Sequence, residues 1–416
     1  MRVAQLANFY TPVSGGLRTC VSQTGQHYVA AGHDRLLVVP GADDEDVTSP
    51  LGRQVTIRSR TLPGSGGYRL LTDRARVLAV LEEWRPDVLE LNDKLSVGWL
   101  APWAREHRVP LVMFSHERLD EVIRVRLSRW LARPGAAAIN RQLYARVDRV
   151  VVASDFSAEE FLPFGPAKVR RVRLGVDLDE FHTSTVDGST PVTSTPDGAR
   201  PATVRLILVS RLSKEKSPEL AVEAVRELCR RGLPVHLDVI GDGPLRARLQ
   251  RRAAGLPVTF AGHVPGRARL AELLAAADVA LSPSRAETFG LATLEALACG
   301  VPVVVPRAGA AAELITAPGA GAVTDGTPAG IADGVQALLA VPAPARRAAA
   351  RATAERLPWS GTAAAMLDCF EELLTAGDVN GSRPPGRVLR LSASESSPAA
   401  RRRWSAPRRR RRTRTG

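Results

Sequence analysis

"DVALSPSRAETFGLATLEALACGVPVVVP", residues 278–306, contains two apolar runs on either side of a loop and a helix-like stretch. The valine-rich ends are typical of buried strands, and the middle predicts a helix from about Leu291 to a stop at Gly300. A strand, a helix and a second strand in this order form one unit of a parallel sheet. Two acids fall in the connecting part: Glu287 in the loop and Glu295 about one turn inside the helix.

The same alternation of strand and helix extends along most of the chain. Strand-like apolar runs occur at residues 2–8, 35–40, 87–92, 110–116 and 149–154, and again at residues 204–210, 235–241 and 258–262. Helix-like stretches lie between them, at 17–31, 69–84 and 95–107 among others. Because each set alternates in this way, the sequence predicts an α/β protein with two doubly wound parallel sheets.

The domain boundaries follow from a change in composition. Residues 183–202 are rich in Thr, Ser, Pro, Gly and Asp and have no periodicity, which is typical of a linker. We therefore expect two Rossmann-like domains joined by a hinge, with a deep cleft between them. The predicted parts are a first domain at 1–182, a linker at 183–202, a second domain at 203–358, a helix at 359–375 that packs back toward the first domain, and a disordered Arg-rich tail at 376–416.

Charge and composition limit the classes of protein to which the chain could belong. The chain has 416 residues, enough for two domains, and 44% of them are apolar. Its formal net charge is +14, but +11 of this lies in residues 381–416, which contain twelve arginines and one acid. The rest of the chain is nearly balanced and does not indicate a nucleic-acid-binding protein.

Cysteine content and hydropathy indicate the cellular compartment of the protein. The four cysteines are scattered, without the spacing of a disulfide framework or a zinc site, which fits a reducing cytoplasm. The N-terminus lacks the pattern of a signal peptide, and no apolar run reaches the roughly 18 residues that span a bilayer. We therefore expect a cytoplasmic protein whose membrane contact is peripheral.

Basic residues and glycines follow two of the predicted strands. Arg211 and Lys216, in "SRLSKEK", come directly after the strand at 204–210, where an open α/β sheet binds its ligand, and two cations suit a diphosphate. A solvated loop has the same composition. Near the N-terminus, Gly15 and Gly16 precede a helix, so a ligand could approach the backbone and an anion would be favoured; an ordinary turn is equally consistent.

The loop that contains Glu287 supplies a second set of polar groups. The backbone N–H groups of Phe289, Gly290 and Leu291 precede the helix and point to a place where a phosphate would bind. Glu287 and Glu295 would repel that phosphate unless each accepts hydrogen bonds from hydroxyls, such as those of a sugar and a ribose. The alternative is that both are solvated surface acids. Since cations and acids all follow strands of one domain, we favour a ligand site.

Several motifs together resemble the retaining family 4 glycosyltransferases, which have the two-domain GT-B fold. They are "SGGLRT", "SRLSKEK", "GDGPLRARL", "FAGHV" and "SRAETFGLATLEALACGVPVV". The resemblance covers roughly residues 1–375, and its most specific element is the pair of glutamates separated by seven residues and followed by "ACGVPVV". It implies sugar transfer from a nucleotide donor without a metal or another cofactor, because protein cations and a helix N-terminus neutralise the leaving diphosphate.

This resemblance implies a role for each motif residue. Arg211 and Lys216 would hold the donor diphosphate, Glu287 would position the sugar hydroxyls, and Glu295 would bind the ribose. His116, at the end of the strand at 110–116, would lie beside the reacting sugar; a packing or capping histidine is the alternative. The implied set is His116, Arg211, Lys216 and Glu287 for catalysis; Gly16, Arg211, Lys216, Val264 (near the base), Glu287, Phe289, Gly290, Leu291 and Glu295 for the donor; Asn8, Gly15 and Gly16 for the acceptor; and no metal ligand.

Three further segments narrow the resemblance within the family. "LANFYTPVSGGLRT", "SHERLD" and "LGVDLDEFH" are most similar to the actinobacterial α-mannosyltransferases that elongate phosphatidylinositol mannosides from the dimannoside. This implies GDP-mannose as the donor, a lipid-linked acceptor, and contact with the inner face of the plasma membrane.

A candidate membrane contact lies in residues 117–135. Apolar side chains at helical spacing alternate there with basic ones: Leu119, Ile123, Leu127, Trp130 and Leu131 with Arg124, Arg126, Arg129 and Arg133. This pattern suits an anionic membrane surface. A helix packed on its own sheet shows the same stripe.

Two other functions remain open from the sequence. A transferase of the same family could use UDP-glucose or another sugar nucleotide on a different acceptor, since the residues that choose the base act mostly through their backbone. A protein of another class could bind anions or nucleic acid through its Arg-rich tail without catalysis. Deleting residues 381–416 would abolish the activity of the second kind of protein and leave that of a transferase intact.

Overall fold

The computed structural model describes residues 1–11, 15–62, 67–124, 129–183 and 203–379. Most of the predicted linker, from residue 184, and the Arg-rich tail from residue 380 lie outside the described residues. The chain forms two compact units: residues 1–114, 146–148 and 367–379 in the first, and residues 115–145 and 149–366 in the second. These units divide the chain differently from the predicted domains, whose boundaries stay a prediction.

The first unit is built on parallel strands. Its strands are β1 (Arg2–Leu6), β2 (Asp34–Gly41), β3 (Glu45–Ser49), β4 (Gly52–Arg58), β5 (Val88–Leu91) and β6 (Leu111–Ser115), and its helices are α1 (Gly15–Ala30), α2 (Arg74–Trp84) and α3 (Val97–Glu106). The strands adjoin in the order β3-β4-β2-β1-β5-β6. All neighbours are parallel except β3 and β4, which form an antiparallel hairpin. This hairpin was not predicted from the sequence, because β3 is mostly exposed and lacks an apolar run.

The second unit contains a fully parallel sheet. Its elements up to residue 171 are α4 (Leu119–Arg124), α5 (Arg129–Arg146, of which the last residue belongs to the first unit), β7 (Arg149–Val152), α6 (Asp155–Ala158), a 3-10 helix (Leu162–Phe164) and β8 (Val169–Arg171). The later strands are β9 (Val204–Val209), β10 (Val235–Ile240), β11 (Val258–Gly262), β12 (Val279–Leu281), β13 (Val303–Pro306) and β14 (Gly321–Thr324), in the order β11-β10-β9-β12-β13-β14. The later helices are α7 (Pro218–Arg230), α8 (Arg246–Arg252), α9 (Arg267–Ala275), α10 (Leu291–Ala298), α11 (Pro328–Leu339), α12 (Ala343–Ala354) and α13 (Trp359–Val379), with 3-10 turns at Lys214–Lys216 and Ala310–Leu314.

The predicted α/β class is confirmed, because every apolar run identified as a strand overlaps a strand of the structure. β9 illustrates the cause: Leu206, Ile207 and Leu208 are buried on both faces of the sheet, as expected for a central parallel strand. The apolar face of α7, which includes Val225 and Leu228, packs in the same core as Leu206 and Leu208. β14 was missed, since "GAVT" is too short and too exposed to give a strand signal.

The C-terminal helix α13 is longer than predicted. It runs to Val379, so residues 376–379 are helical although the sequence analysis assigned them to the tail. Within the first unit, the ring of Phe370 meets that of Tyr28 edge to face, with centroids 5.8 Å apart. Among the described helices, none is long and apolar enough to cross a bilayer.

A pair of glycines fixes the loop that follows β9. Gly241, at φ +121°, lies so close to that loop that a Cβ atom there would overlap the carbonyl oxygen of Ser210. A Cβ at Gly243 would come within 2.5 Å of the carbonyl oxygen of Leu212. Backbone hydrogen bonds from Ser210 to Ile240 (3.0 Å) and from Leu212 to Asp242 (2.9 Å) hold the two loops together. Glycine is therefore needed here for close approach of two backbones.

Replacing Gly241 should destabilise the fold more than an ordinary glycine substitution does. Gly241→Ala combines an unfavourable φ with overlap against a backbone carbonyl. We expect it to lower the free energy of unfolding by about 2 kcal/mol more than Gly232→Ala, which shares a positive φ but has open space around its Cβ position. Urea unfolding of both variants measures this difference, and equal losses would contradict it.

Candidate active site

The loop between β9 and α7 presents two cations at the carboxyl edge of the second sheet. Arg211 follows β9 and has a half-exposed side chain, while Lys216 lies at the end of the 3-10 turn and is more buried. Arg211 Nη2 lies 2.8 Å from Glu215 Oε1, and Ser213 Oγ donates to the same oxygen at 2.5 Å. Ser284 Oγ donates to the Glu215 carbonyl at 3.0 Å, which ties this loop to the one after β12.

Glu215 was not identified from the sequence. Burial alone would raise the pKa of its carboxyl group, but the hydrogen bond from Ser213 and the charge of Arg211 outweigh burial and hold the pKa below its ordinary value. The ionised carboxylate orients the Arg211 guanidinium. An acid between two basic residues in "SKEK" was the available signal.

Lys216 and Glu287 are in direct contact. Lys216 Nζ lies 2.7 Å from Glu287 Oε1, and both side chains are largely buried, with 27% and 19% of their surface exposed. The two residues come from the loops after β9 and β12, which are neighbouring parallel strands. The two side chains were predicted to bind different groups of one ligand, and in the structure they form an ion pair with each other.

The N-terminus of α10 comes shortly after Glu287 in the chain. Gly290 precedes the helix with φ +96°, as the predicted turn requires, and the ring of Phe289 is buried. Leu291 begins the helix, so its N–H and the two that follow have no acceptor within the helix, and the Leu294 N–H is the first to be bonded, to the Gly290 carbonyl. The turn and the start of the helix lie where the sequence predicted them, and anion binding there stays a prediction.

Glu295 lies one turn further along and is almost buried. Burial raises the pKa of its carboxyl group to about 7, although the nearby Arg267 charge opposes the increase. Arg267 Nη1 is 3.6 Å from Glu295 Oε1, and its Nε donates to Glu180 Oε2 at 2.5 Å. The guanidinium also lies over the ring of Phe181, 4.8 Å from its centroid. Sequence reasoning missed Arg267 and Glu180, although Arg267 begins the helix that follows β11.

His116 follows β6 directly. Burial lowers the pKa of its imidazole to about 3, so the ring is neutral near pH 7. Its backbone carbonyl accepts a hydrogen bond of 2.7 Å from Thr288 Oγ1. The structure thus links His116 to the residue that follows Glu287.

Val264 and the predicted acceptor residues have simpler surroundings. Val264 is partly exposed in the loop between β11 and α9. Asn8, in the first unit, is 3% exposed, and its side chain donates to Ser96 Oγ (2.9 Å) and accepts from the Leu71 N–H (2.7 Å). Asn8 therefore ties the segment after β1 to Leu71 and to the residue that precedes α3. Gly15 and Gly16 begin α1 and are exposed, and a Cβ at Gly15 would meet no atom within 4 Å.

A cavity is lined by residues that are close to Lys216 and Glu287 in the sequence. Its volume is about 510 Å³, within the range of small-molecule sites. It is lined by Glu121, Lys214, Glu215, Ser217, Leu220, Arg285, Ala286, Gly326, Thr327 and Pro328. Two of these residues precede Lys216 and two precede Glu287, so the loops that form the ion pair also form this mixed-charge cavity.

The described residues do not test every predicted feature. Within them, no group of three or more His, Cys, Asp or Glu side chains could hold a metal ion. The proposed membrane stripe falls largely outside the described part, since residues 125–128 and the side chains of residues 129–133 are not described. Membrane contact stays a prediction.

Solved structures with similar folds are glycosyltransferases and related synthases. Sucrose-phosphate synthase from Thermosynechococcus elongatus matches with a TM-score of 0.72 and 21% identity, covering 90% of this chain and all of that one. A glycosyltransferase involved in lipopolysaccharide biosynthesis matches with a TM-score of 0.64 and 20% identity, covering 88% and 99%. The two parallel α/β sheets are those of the GT-B fold, as predicted.

Comparisons of the sequence identify the family of the chain as well as its fold. The family profile described as Glycosyltransferase Family 4 matches residues 14–180, and the one described as Glycosyl transferases group 1 matches residues 203–341. A GDP-mannose-dependent alpha-(1-6)-phosphatidylinositol dimannoside mannosyltransferase of Mycobacterium tuberculosis (strain ATCC 25177 / H37Ra) is 44% identical over 88% of this chain and 95% of its own length. A GDP-mannose-dependent alpha-mannosyltransferase of Mycolicibacterium smegmatis is 32% identical over 76% and 82%. The chain belongs to glycosyltransferase family 4.

Stability should depend on pH through Glu295. The folded chain releases this proton near pH 7, whereas the unfolded chain releases it near the ordinary value of 4.5. Between these values the folded state binds more protons, so the free energy of unfolding falls as pH rises. Glu295→Gln lacks this dependence. Its free energy of unfolding should therefore increase relative to that of the wild type, by up to about 3 kcal/mol between about pH 5 and about pH 8.

Urea unfolding across this pH range tests the expectation. Glu272→Gln is the control, because this glutamate lies on the neighbouring helix α9 with 60% of its side chain exposed, and its difference from wild type should stay nearly constant. A pH-independent difference for Glu295→Gln, or one that changes in the opposite direction, would contradict the account.

Proposed function

We propose that this glycosyltransferase transfers mannose from GDP-mannose to a phosphatidylinositol dimannoside with retention of anomeric configuration. The proposal rests on one observation above the others: Lys216 Nζ lies 2.7 Å from Glu287 Oε1, at the edge of the sheet where Arg211 and the start of α10 also lie. The substrates are inferred from the relative that is 44% identical and is named for this donor and acceptor.

The donor diphosphate would bind between the cations and the start of α10. Arg211 offers a planar fork to one phosphate, and Lys216 offers a point charge with three N–H donors. An ammonium group with three donors can contact Glu287 and a phosphate oxygen at the same time. Since the leaving group gains negative charge as the sugar bond breaks, these groups stabilise the transition state more than the ground state. In this proposal the reaction needs no metal ion.

Glu287 would position the transferred sugar. A carboxylate can accept several hydrogen bonds, so its contact with Lys216 leaves capacity for sugar hydroxyls. Because Lys216 also faces the diphosphate in this arrangement, Glu287 would hold the part of the sugar nearest the leaving group. This role is positioning, and no nucleophilic attack by Glu287 is proposed.

Burial would set the protonation states in which Glu295 and His116 act. With a pKa of about 7, Glu295 is partly protonated near neutrality and can both accept from and donate to ribose hydroxyls. His116 is neutral, so its ring can make a hydrogen bond beside the reacting sugar without adding charge that would compete with Lys216 for the donor.

The acceptor would be reached from an anionic membrane surface. A phosphatidylinositol mannoside keeps its lipid chains in the bilayer, so the enzyme would bind peripherally at the inner face of the plasma membrane. The basic and apolar stripe at residues 117–135 is the candidate contact.

Donor choice can be measured by thermal stabilisation. A ligand that binds only the folded state raises its apparent stability, by about 2.7 kcal/mol at one hundred times its Kd. We expect GDP-mannose to raise the unfolding midpoint more than UDP-glucose or UDP-N-acetylglucosamine at equal concentration. A shift with UDP-glucose alone would replace the proposed donor, and no shift with any of the three would count against the transferase site.

Arg211→Ala should weaken GDP-mannose binding by about 1.5 to 3 kcal/mol, the range for a hydrogen bond to a charged group. Titration calorimetry measures the change. The control is Arg230→Ala, which removes an arginine whose ion pair with Glu227 lies on the exposed surface of α7. Equal affinities for the two variants would contradict the role of Arg211.

Transfer to the dimannoside separates the enzyme from a tail-dependent binding protein. Transfer is assayed with a chelator present, because the proposed reaction needs no metal ion. Under this condition Glu287→Gln should abolish most transfer, and deletion of residues 381–416 should preserve it. No transfer by the wild type, together with anion binding that is lost on deleting the tail and kept in Glu287→Gln, would support the other class.

A further inference from the structure

Thr288 lies between Glu287 and the buried Phe289 and is held from two directions. Its Oγ1 donates to the backbone carbonyl of His116 at 2.7 Å. Its own carbonyl accepts hydrogen bonds from Ser154 Oγ at 2.6 Å and from Ser157 Oγ at 3.1 Å. One residue thus connects the loop after β12 with His116 and with α6.

The surroundings of Thr288 hold this connection in place. The Ala310 N–H donates to the Glu287 carbonyl at 2.8 Å, so the preceding peptide is also fixed. The Glu313 carboxylate accepts from the backbone N–H groups of Asp155 and Phe156, at 3.0 and 2.9 Å, which anchors the first turn of α6 to the same region. These hydrogen bonds hold the loop around residue 288 against His116 and α6.

We propose that Thr288 is a positioning residue for sugar transfer, and that its hydroxyl fixes the separation between His116 and Glu287. The inference rests on the proposed function, which places His116 beside the reacting sugar and Glu287 on its hydroxyls. Thr288 does not touch the donor in this account. It acts through the His116 peptide and through the peptide that it shares with Glu287.

The geometry explains why a hydroxyl is needed at this position. Reacting groups must be held within a fraction of an ångström, and a misplacement of about 1 Å can slow a reaction about a hundredfold. The hydrogen bond from Thr288 is a direct side-chain contact between the loop of Glu287 and the peptide of His116. Serine keeps the donor, and valine keeps the shape but removes it.

The test compares Thr288→Val and Thr288→Ser in steady-state transfer from GDP-mannose to the dimannoside. In Thr288→Val, kcat should fall about three- to tenfold, as expected for the loss of one neutral hydrogen bond, while the KM for GDP-mannose stays within about twofold of wild type. Thr288→Ser should restore kcat to within about twofold of wild type.

Thr362→Val is the matched control. The Thr362 hydroxyl also joins segments that are distant in the chain, by donating to the Arg173 carbonyl at 2.9 Å, and its side chain is buried. This variant should lose stability without a change in kcat. A merely structural role for Thr288 would make Thr288→Val behave in the same way.

Three results would overturn the inference: wild-type kcat in Thr288→Val, an increase in KM with unchanged kcat, or equal defects in the Ser and Val variants. Absence of mannose transfer by the wild type would instead reject the proposed function. The kcat values of the same variants would then be measured with whichever sugar nucleotide stabilises the protein. This is possible because the contact between Thr288 and His116 does not depend on the nucleotide base of the donor. The order of kcat, with wild type and Thr288→Ser above Thr288→Val, is expected for that donor too.

Discussion

The contact between Lys216 and Glu287 exists because β9 and β12 are parallel neighbours. Parallel strands end at the same edge of a sheet, so the loops that follow them meet even though their residues are 71 positions apart. The ion pair is the meeting point of these loops. On one side of it Arg211 is oriented by Glu215, and on the other Thr288 connects the loop to His116. Without the parallel order of the sheet, none of these groups would lie together.

Three glutamates near this edge have different electrostatic surroundings, which accounts for their different chemistry. Hydrogen bonds and the charge of Arg211 keep Glu215 ionised, so it acts as an anchor. Glu295 is nearly buried and meets Arg267 only at 3.6 Å, so its pKa rises to about 7. Glu287 contacts Lys216 directly. Residue type alone therefore says little about which acid holds a cation and which one can exchange a proton.

Most of the helices and strands could be predicted from the sequence, but the contacts between their side chains could not. Apolar runs such as those of β9 and β13 predict strands because burial on both faces requires them, and Gly290 marked the turn before α10. The hairpin of β3 and β4 and the short β14 gave no such signal. Arg267 with Glu180, and Thr288 with His116, were missed because each pair is separated by more than eighty residues. The Asn8 side chain is hydrogen-bonded inside its own unit, and its assignment to the acceptor stays a prediction.

The most direct measurement of the central claim is a double-mutant cycle of Lys216→Met and Glu287→Gln, read as kcat/KM for mannose transfer from GDP-mannose. If the two side chains act as one unit on the donor, the double variant should lose little more than the worse single variant, with a coupling energy of about 1 to 3 kcal/mol. Additive losses, with a coupling energy near zero, would mean that the 2.7 Å contact has no part in catalysis and would contradict the account.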